Sequence, residues 1–321
     1  MENTKILTNN SAAFIPAKTR CVTLDECSAD WLNSLEGKAK QSTYDTYRSI
    51  YRRNISPILG KKICEEITQN DAESVLEGPG INTANYRASV TTVLKMVLEY
   101  AGKNGHETGA DMRGRTSAKG AEDKAEFLSD AEYKRLHDIV TRDMGIEKAI
   151  IFLAMNTGLK CGELSALKRS DIDFNTRKLF VTKGLQRIYQ KDDGVKTEGV
   201  ILELNESVRR SIELPKFVVD AVKPLYKGLE DNCYLTTGRP DYVLPDAVHM
   251  RMRTLAVRCG LNNLSFITLR HTFAKRCVKV GIDAVDLAKI LGIANVSRVL
   301  KLYYEEKECE SGGLLERLNT T

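Results

Sequence analysis

Three groups of residues in this chain combine types and spacings that could do chemistry. The first is a run of cations in which Lys38, Lys40, Arg48, Arg52, Arg53, Lys61 and Lys62 face a single acid, Asp45, with Tyr44, Tyr47 and Tyr51 interleaved. Such a run is commonly a solvated helix face, and the same charges can neutralise the phosphates of a nucleic acid. The second group is a pair of motifs, Asn156-Thr157-Gly158-Leu159-Lys160-Cys161-Gly162-Glu163-Leu164-Ser165-Ala166-Leu167 and Thr268-Leu269-Arg270-His271-Thr272-Phe273-Ala274. Each motif reads structurally, the first as a helix-turn-helix phrase and the second as an amphipathic helix. The third group is Tyr303-Tyr304, downstream of Leu291-Gly292. Val296, Val299, Leu300 and Tyr303 at helical spacing would make Tyr303 a packing residue.

Other chemistries find little support. The eight cysteines have no C-x-x-C spacing, and the four histidines (His106, His137, His249, His271) form no i,i+4 pair. This argues against a zinc site or a disulfide framework. The net charge of +5 and pI near 8.6 are too mild to demand a nucleic-acid partner by themselves. No stretch approaches the run of about eighteen apolar residues that spans a bilayer, and the N-terminus has no apolar signal core. A soluble, cytoplasmic protein without a membrane partner is expected.

The chain has 321 residues, 42% of them apolar, enough for two packed units. Residues 1–22 read as a leader and 23–103 as a four-helix domain. Its first helix is capped by Thr23 and carries Leu24, Cys27, Trp31 and Leu35. The second starts at Ser42, where Ser42-Thr43-Tyr44-Asp45 offers a capping pattern, and stops at Pro57 and Gly60. Helices follow at Asn70 to Leu76 and from Thr83 to Gly102, the last with Val90, Val93, Leu94, Val97 and Leu98 on one stripe. Residues 104–126 are polar and glycine-rich, with almost nothing to bury, and read as a flexible linker. The second domain, 127–321, opens with a Ser129/Glu132 capping box and an apolar helix from Ile146 to Asn156. Strand-like runs occupy 178–182, 186–190 and 200–204, around an Asp192-Asp193-Gly194 turn. Pro215, Pro245, Gly260 and Asp283 then punctuate further helices, and the tail holds Leu314, Leu315 and Leu318. This unit is expected to be mixed α/β and mostly helical, with one small antiparallel sheet.

Taken in order, behind an N-terminal domain containing Gln41-Ser42-Thr43-Tyr44-Asp45-Thr46-Tyr47 and Ile55-Ser56-Pro57-Ile58-Leu59-Gly60, the motifs resemble the tyrosine recombinase and phage integrase family. Integrases of conjugative transposons are especially similar. The resemblance covers residues 23–305. It implies a mainly α fold: a SAM-like core-binding domain and a catalytic domain that close on duplex DNA from opposite sides. Lys38 to Lys62 would then meet phosphates, supplying affinity more than base readout. It also implies a reaction in which a tyrosine hydroxyl attacks a phosphodiester, forming a 3′-phosphotyrosyl link and freeing a 5′ hydroxyl. Energy is conserved, so no metal, nucleotide or small-molecule cofactor is expected. Two arginines, a lysine and imidazole-type donors would stabilise the charge that develops.

Carried over position by position, the resemblance makes Tyr303 the nucleophile, with Tyr304 the lesser candidate, and Arg270 the second arginine. Lys160 stands where the family has its first arginine, keeping the charge but losing the fork. Ile267 replaces a histidine three residues before Arg270, and Ile293 replaces a histidine or tryptophan ten residues before Tyr303. His271 is expected to point a quarter-turn away from Arg270 and to take no part. Aligning Arg210 and Ile212-Glu213-Leu214-Pro215 places Leu204 at the hairpin lysine. Lys183 or Lys196 could supply that amine instead, and Lys183 is grouped with the DNA-binding residues. Losing one charge stabiliser costs roughly 10²–10³ in rate and losing a general acid or base roughly 10²–10⁴, non-additively. The expectation is therefore a DNA-binding protein with impaired or no strand cleavage, acting as an accessory or regulator and pairing with itself or a paralogous recombinase. The alternatives are an active recombinase working through Tyr303 and a helical scaffold without DNA function. If the cations at 38–62 contact phosphates, duplex affinity will fall steeply between low and moderate salt; a flat salt titration would contradict it.

Overall fold

The computed structural model describes residues 21–112, 125–189, 197–262 and 264–304. The leader through residue 20, the turn at Asp192 to Gly194, Lys196, the middle of the expected linker and the tail leucines lie outside these residues. The chain divides into two compact units, Met1–Ala121 and Glu122–Thr321.

In the first unit, helix α1 (Leu24–Leu35) begins at a reciprocal cap: the Thr23 hydroxyl accepts from the Glu26 N–H while the Glu26 carboxylate accepts from the Thr23 N–H. Helix α2 (Gln41–Ile50) starts ahead of Ser42, with Lys40 at the cap position and no side-chain cap bond. The helical path runs through Pro57 and ends at Gly60, the second of the two expected stops. A π-helical turn (Tyr51–Ile55) widens the coil and passes into α3 (Ser56–Leu59), which carries the proline in its first turn. The wider turn accommodates a ring that would otherwise crowd the carbonyl four residues back. Helices α4 (Gln69–Leu76) and α5 (Ala84–Lys103) complete the unit. Leu24, Ile55, Leu59, Ile67, Val90, Val93, Leu94 and Val97 form its core and are completely buried. Residues 104–112, read from composition as the start of a loose linker, pack back on this core. Gly109 N–H donates to the Ile67 carbonyl at 2.9 Å, Asp111 N–H to Gln69 Oε1 at 3.0 Å, and Ala110 and Met112 are buried.

The second unit starts with α6 (Asp130–Thr141), behind the Ser129/Glu132 capping box, and α7 (Ile146–Thr157), buried along nearly its whole length. After α8 (Cys161–Ala166) come β1 (Ile172–Asp173), β2 (Lys178–Val181), β3 (Lys183–Tyr189), β4 (Thr197–Glu203) and β5 (Arg210–Glu213). They make two antiparallel sheets among the described residues, where the sequence suggested one: β1-β2-β5, with Leu179 opposite Ile212, and the β3-β4 ribbon, with Gln186 opposite Val200. Strand β5 escaped the sequence reading because Arg210-Ser211-Ile212-Glu213 buries a single apolar residue, Ile212. Helices α9 (Lys216–Tyr226), α10 (Pro245–Cys259), α11 (Phe266–Lys279), α12 (Ala284–Leu291) and α13 (Val296–Tyr303) follow. The main core gathers α7 with Leu136, Leu214, Val218, Tyr226 and Leu269. A separate small core of Ala274, Cys277, Leu287, Ala288, Leu291 and Val299 joins α11, α12 and α13. No helix among the described residues is long and apolar enough to cross a membrane.

Gly158 ends α7 in the left-handed region (φ 64°), and a Cβ there would lie 2.6 Å from Phe273 Cδ1. Gly158→Ala should therefore lose about 1–2 kcal/mol from backbone strain alone and more from the collision, read as a lower midpoint in urea unfolding.

Candidate active site

The second unit draws one end of each of several elements to a common place. At the start of α8, the Lys160 N–H donates to Glu163 Oε2 at 2.9 Å. Glu163 is 3% exposed and takes a two-pronged bond from Arg210, Nη1 to Oε1 at 3.1 Å and Nη2 to Oε2 at 2.9 Å. The Arg210 side chain is itself buried, and its Nε donates to the Ile290 carbonyl at 2.7 Å. Burial pushes the Glu163 carboxyl up, but the Arg210 bonds and charge, with the Lys160 N–H, bring it below its ordinary value.

Beside this pair lies Arg270. Its Nη1 donates to the Gly158 carbonyl at 2.9 Å and its Nη2 to the Leu291 carbonyl at 2.7 Å, so one guanidinium bridges the ends of α7 and α12. Burial lowers its pKa, opposed by Glu163, and an arginine remains charged regardless. The exposed Lys160 side chain stands close by. Partial desolvation lowers its pKa against the pull of Glu163, and Arg270, Arg210 and Arg298 push the same way as desolvation.

Tyr303 closes the group from the last turn of α13. Its hydroxyl is 2.7 Å from His271 Nδ1, the two rings are 5.6 Å apart, and Phe127 meets both edge-on. Lys275 Nζ lies 4.5 Å above the Phe127 ring. Burial raises the phenol pKa while the charges of Arg270 and Arg298 lower it. The neighbouring Tyr304 is committed elsewhere, its hydroxyl donating to the Ile282 carbonyl at 2.6 Å. On α13, Val299 is fully buried and Leu300 is 44% exposed, so the packing stripe is narrower than the sequence suggested.

Arg270 is thus within electrostatic reach of both Lys160 and Tyr303. The two isoleucines differ. Ile267, on the first turn of α11, is 67% exposed, whereas Ile293 is half-buried against the α11–α13 core. Leu204 packs on the main core of the unit. Lys183, half-buried on β3, sits opposite Glu203, and its charge acts on Asp171 and Tyr234. The sequence reading missed four participants. Glu163 and Arg210 are far apart in the chain, and Arg298 gave no signal beyond its charge. His271, expected to point away and idle, is instead in contact with Tyr303. It does diverge from Arg270, and α13 supplies the partner on that side. Among the described residues no group of three His, Cys, Asp or Glu could hold a metal.

In the first unit, Lys38, Lys40, Arg52, Arg53, Lys61 and Lys62 are exposed and Arg48 is half-buried. Lys62 pairs with Asp71. The interleaved tyrosines are structural: Tyr51 is buried and donates to Asp25 at 2.9 Å, and Tyr44 and Tyr47 lie against the core.

Residues 126–309 match the phage integrase family, and residues 23–75 match the phage integrase N-terminal SAM-like domain. The chain belongs to the phage integrase family, and so to the tyrosine recombinases that act in DNA recombination. A relative is the "Tyrosine recombinase XerC-like" protein of Caldanaerobacter subterraneus subsp. tengcongensis, 24% identical over 93% of this chain and 83% of its own length. In fold the chain is similar to the Tn1549 transposon integrase in complex with transposon right end DNA (TM-score 0.75, 17% identity, covering 93% of this chain and 100% of that one). It is also similar to a lambda integrase dimer bound to a COC′ core site (TM-score 0.64, 19% identity, covering 89% and 97%).

Removing one partner of a buried ion pair leaves an uncompensated charge, so Glu163→Gln should cost about 3–5 kcal/mol. Because the folded carboxyl titrates below its ordinary 4.5, its contribution is complete above that pH and is lost as pH falls through the depressed value. Urea melts across the acid range should show this loss in the parent and not in the variant.

Proposed function

We propose that this protein binds duplex DNA through the cations of its first unit, cleaves it at most slowly through Tyr303, and serves recombination as an accessory or regulator. The observation that carries this reading is a site that is assembled yet short of donors. Arg270 acts electrostatically on Tyr303, while the exposed Ile267 offers no hydrogen bond and Ile293 packs against a core. Lys160 keeps a charge without the fork that orients a phosphate. Lys38, Lys40, Arg48, Arg52, Arg53, Lys61, Lys62 and Lys183 are the proposed phosphate contacts. The cytoplasm is the proposed setting. The DNA-bound integrases similar in fold, one of them a dimer, support a DNA partner and association of copies on it. Pairing with a paralogous recombinase fits the same reading. The hydrogen bond between His271 and Tyr303 favours slow cleavage over none.

The test is a nicked suicide duplex carrying the element's own ends. The expected result is salt-sensitive binding, a covalent adduct that accumulates slowly, and none in Tyr303→Phe. Replacing the missing groups, Lys160→Arg with Ile267→His, should accelerate adduct formation by about 10²-fold or more. Rapid adduct formation by the parent protein, with no gain in the double variant, would refute impairment. Arg52→Ala and Arg53→Ala should each reduce the salt slope of binding by about one.

A further inference from the structure

We propose that His271 is the base that takes the phenolic proton from Tyr303 as it attacks DNA. This rests on the reading above, that Tyr303 retains slow cleavage. His271 Nδ1 is 2.7 Å from the Tyr303 hydroxyl, within the reach required of a general base. The geometry is held from three directions. His271 is fixed by its place on α11, one residue from the doubly anchored Arg270. Tyr303 is fixed by the buried Val299 one turn earlier on α13. Phe127, ahead of α6, meets both rings edge-on at 6.1 and 6.5 Å and keeps them side by side. The residue that would otherwise offer an imidazole from α11, Ile267, has no proton-accepting atom.

The charges facing the pair suit this role. Arg270 on the same helix and Arg298 on α13 both act on Tyr303, Lys160 at the start of α8 lies near those arginines, and Lys275 caps the Phe127 ring. Asp130, the acid at the start of α6, is held by Lys279. Burial raises the Tyr303 pKa despite the two arginines, so the hydroxyl enters the reaction as a phenol, donating in the proposed resting state to His271 Nδ1. A DNA phosphate entering beside Arg270 adds the negative charge that then tolerates an imidazolium. In the step itself the Tyr303 oxygen forms a bond to phosphorus and its proton passes to His271 Nδ1. The bond from phosphorus to O5′ breaks, and O5′ takes a proton from solvent. In religation the 5′ hydroxyl attacks, the phosphotyrosyl bond breaks, and the imidazolium returns its proton to the tyrosine oxygen.

The experiment uses the full chain with two suicide duplexes, one normal and one with sulfur replacing the bridging O5′ at the scissile position. A thiolate leaves without needing a proton, so only a defect in activating the nucleophile persists on the sulfur substrate. His271→Ala should slow adduct formation by about 10²–10⁴-fold on both, with duplex affinity unchanged and part of the rate restored by added imidazole. The pH profile of the parent rate should carry an inflection that the alanine variant lacks. His271→Gln, which can hydrogen-bond but cannot take the proton at neutral pH, should be as slow as the alanine variant. A parent protein that cleaves, with His271→Ala cleaving equally fast and with the same pH profile, overturns the proposal; so does full activity in His271→Gln, which would make His271 a positioning residue. No adduct from the parent on either substrate defeats the cleavage reading itself, and with it this one.

Discussion

The buried ion pair between Glu163 and Arg210 is the constraint on which the rest of the site depends. Two charges this deep gain little net stability, since desolvation offsets most of their attraction. What they supply is position. Glu163 fixes the start of α8 by accepting the Lys160 N–H, and Arg210 ties the first residue of β5 to the Ile290 carbonyl. Arg270 repeats the device one residue on, at Leu291. Two guanidiniums thus satisfy consecutive carbonyls at the end of α12, where a helix leaves acceptors unpaired and carries its negative pole. Gly292 follows in the left-handed region, and a Cβ there would come 2.6 Å from Arg210 Nη1. Glycine at that point leaves room for the arginine as well as for the turn.

Much of the fold was legible because its signals are local. Thr23, Thr83 and Ser129 cap the helices that follow them, and Gly158 and Gly260 end helices in the left-handed region. Features that depend on distant partners were not. Ala110 and Met112 look like part of a linker until a core is there to receive them, and β5 needs β2 beside it before four residues with one buried apolar side chain become a strand. The same limit governs the site. Arg270 and Tyr303 stand out in the sequence by type and spacing, but the contact of His271 with Tyr303 does not. Adjacent helical residues diverge by roughly a quarter-turn, so Arg270 and His271 serve different partners, and only the placement of α13 shows that the second has one.

The substitutions that seemed equivalent in the sequence are physically unequal. Ile293 belongs to the packing of α11, α12 and α13, so restoring a polar ring there would disturb a core. Ile267 is free of the core and touches solvent. One position is held by packing, while the other faces solvent. Lys160 falls between them, with its charge retained and its backbone still serving Glu163.

The α11–α13 core is small: Ala274, Cys277, Leu287, Ala288, Leu291 and Val299 are its buried members, several of them short side chains with little area to withdraw from water. Tyr303 itself packs against this core, with Phe273, Ile282, Ile293 and Val296 around it, so the placing of its hydroxyl depends on how these side chains fit together as well as on any charged residue.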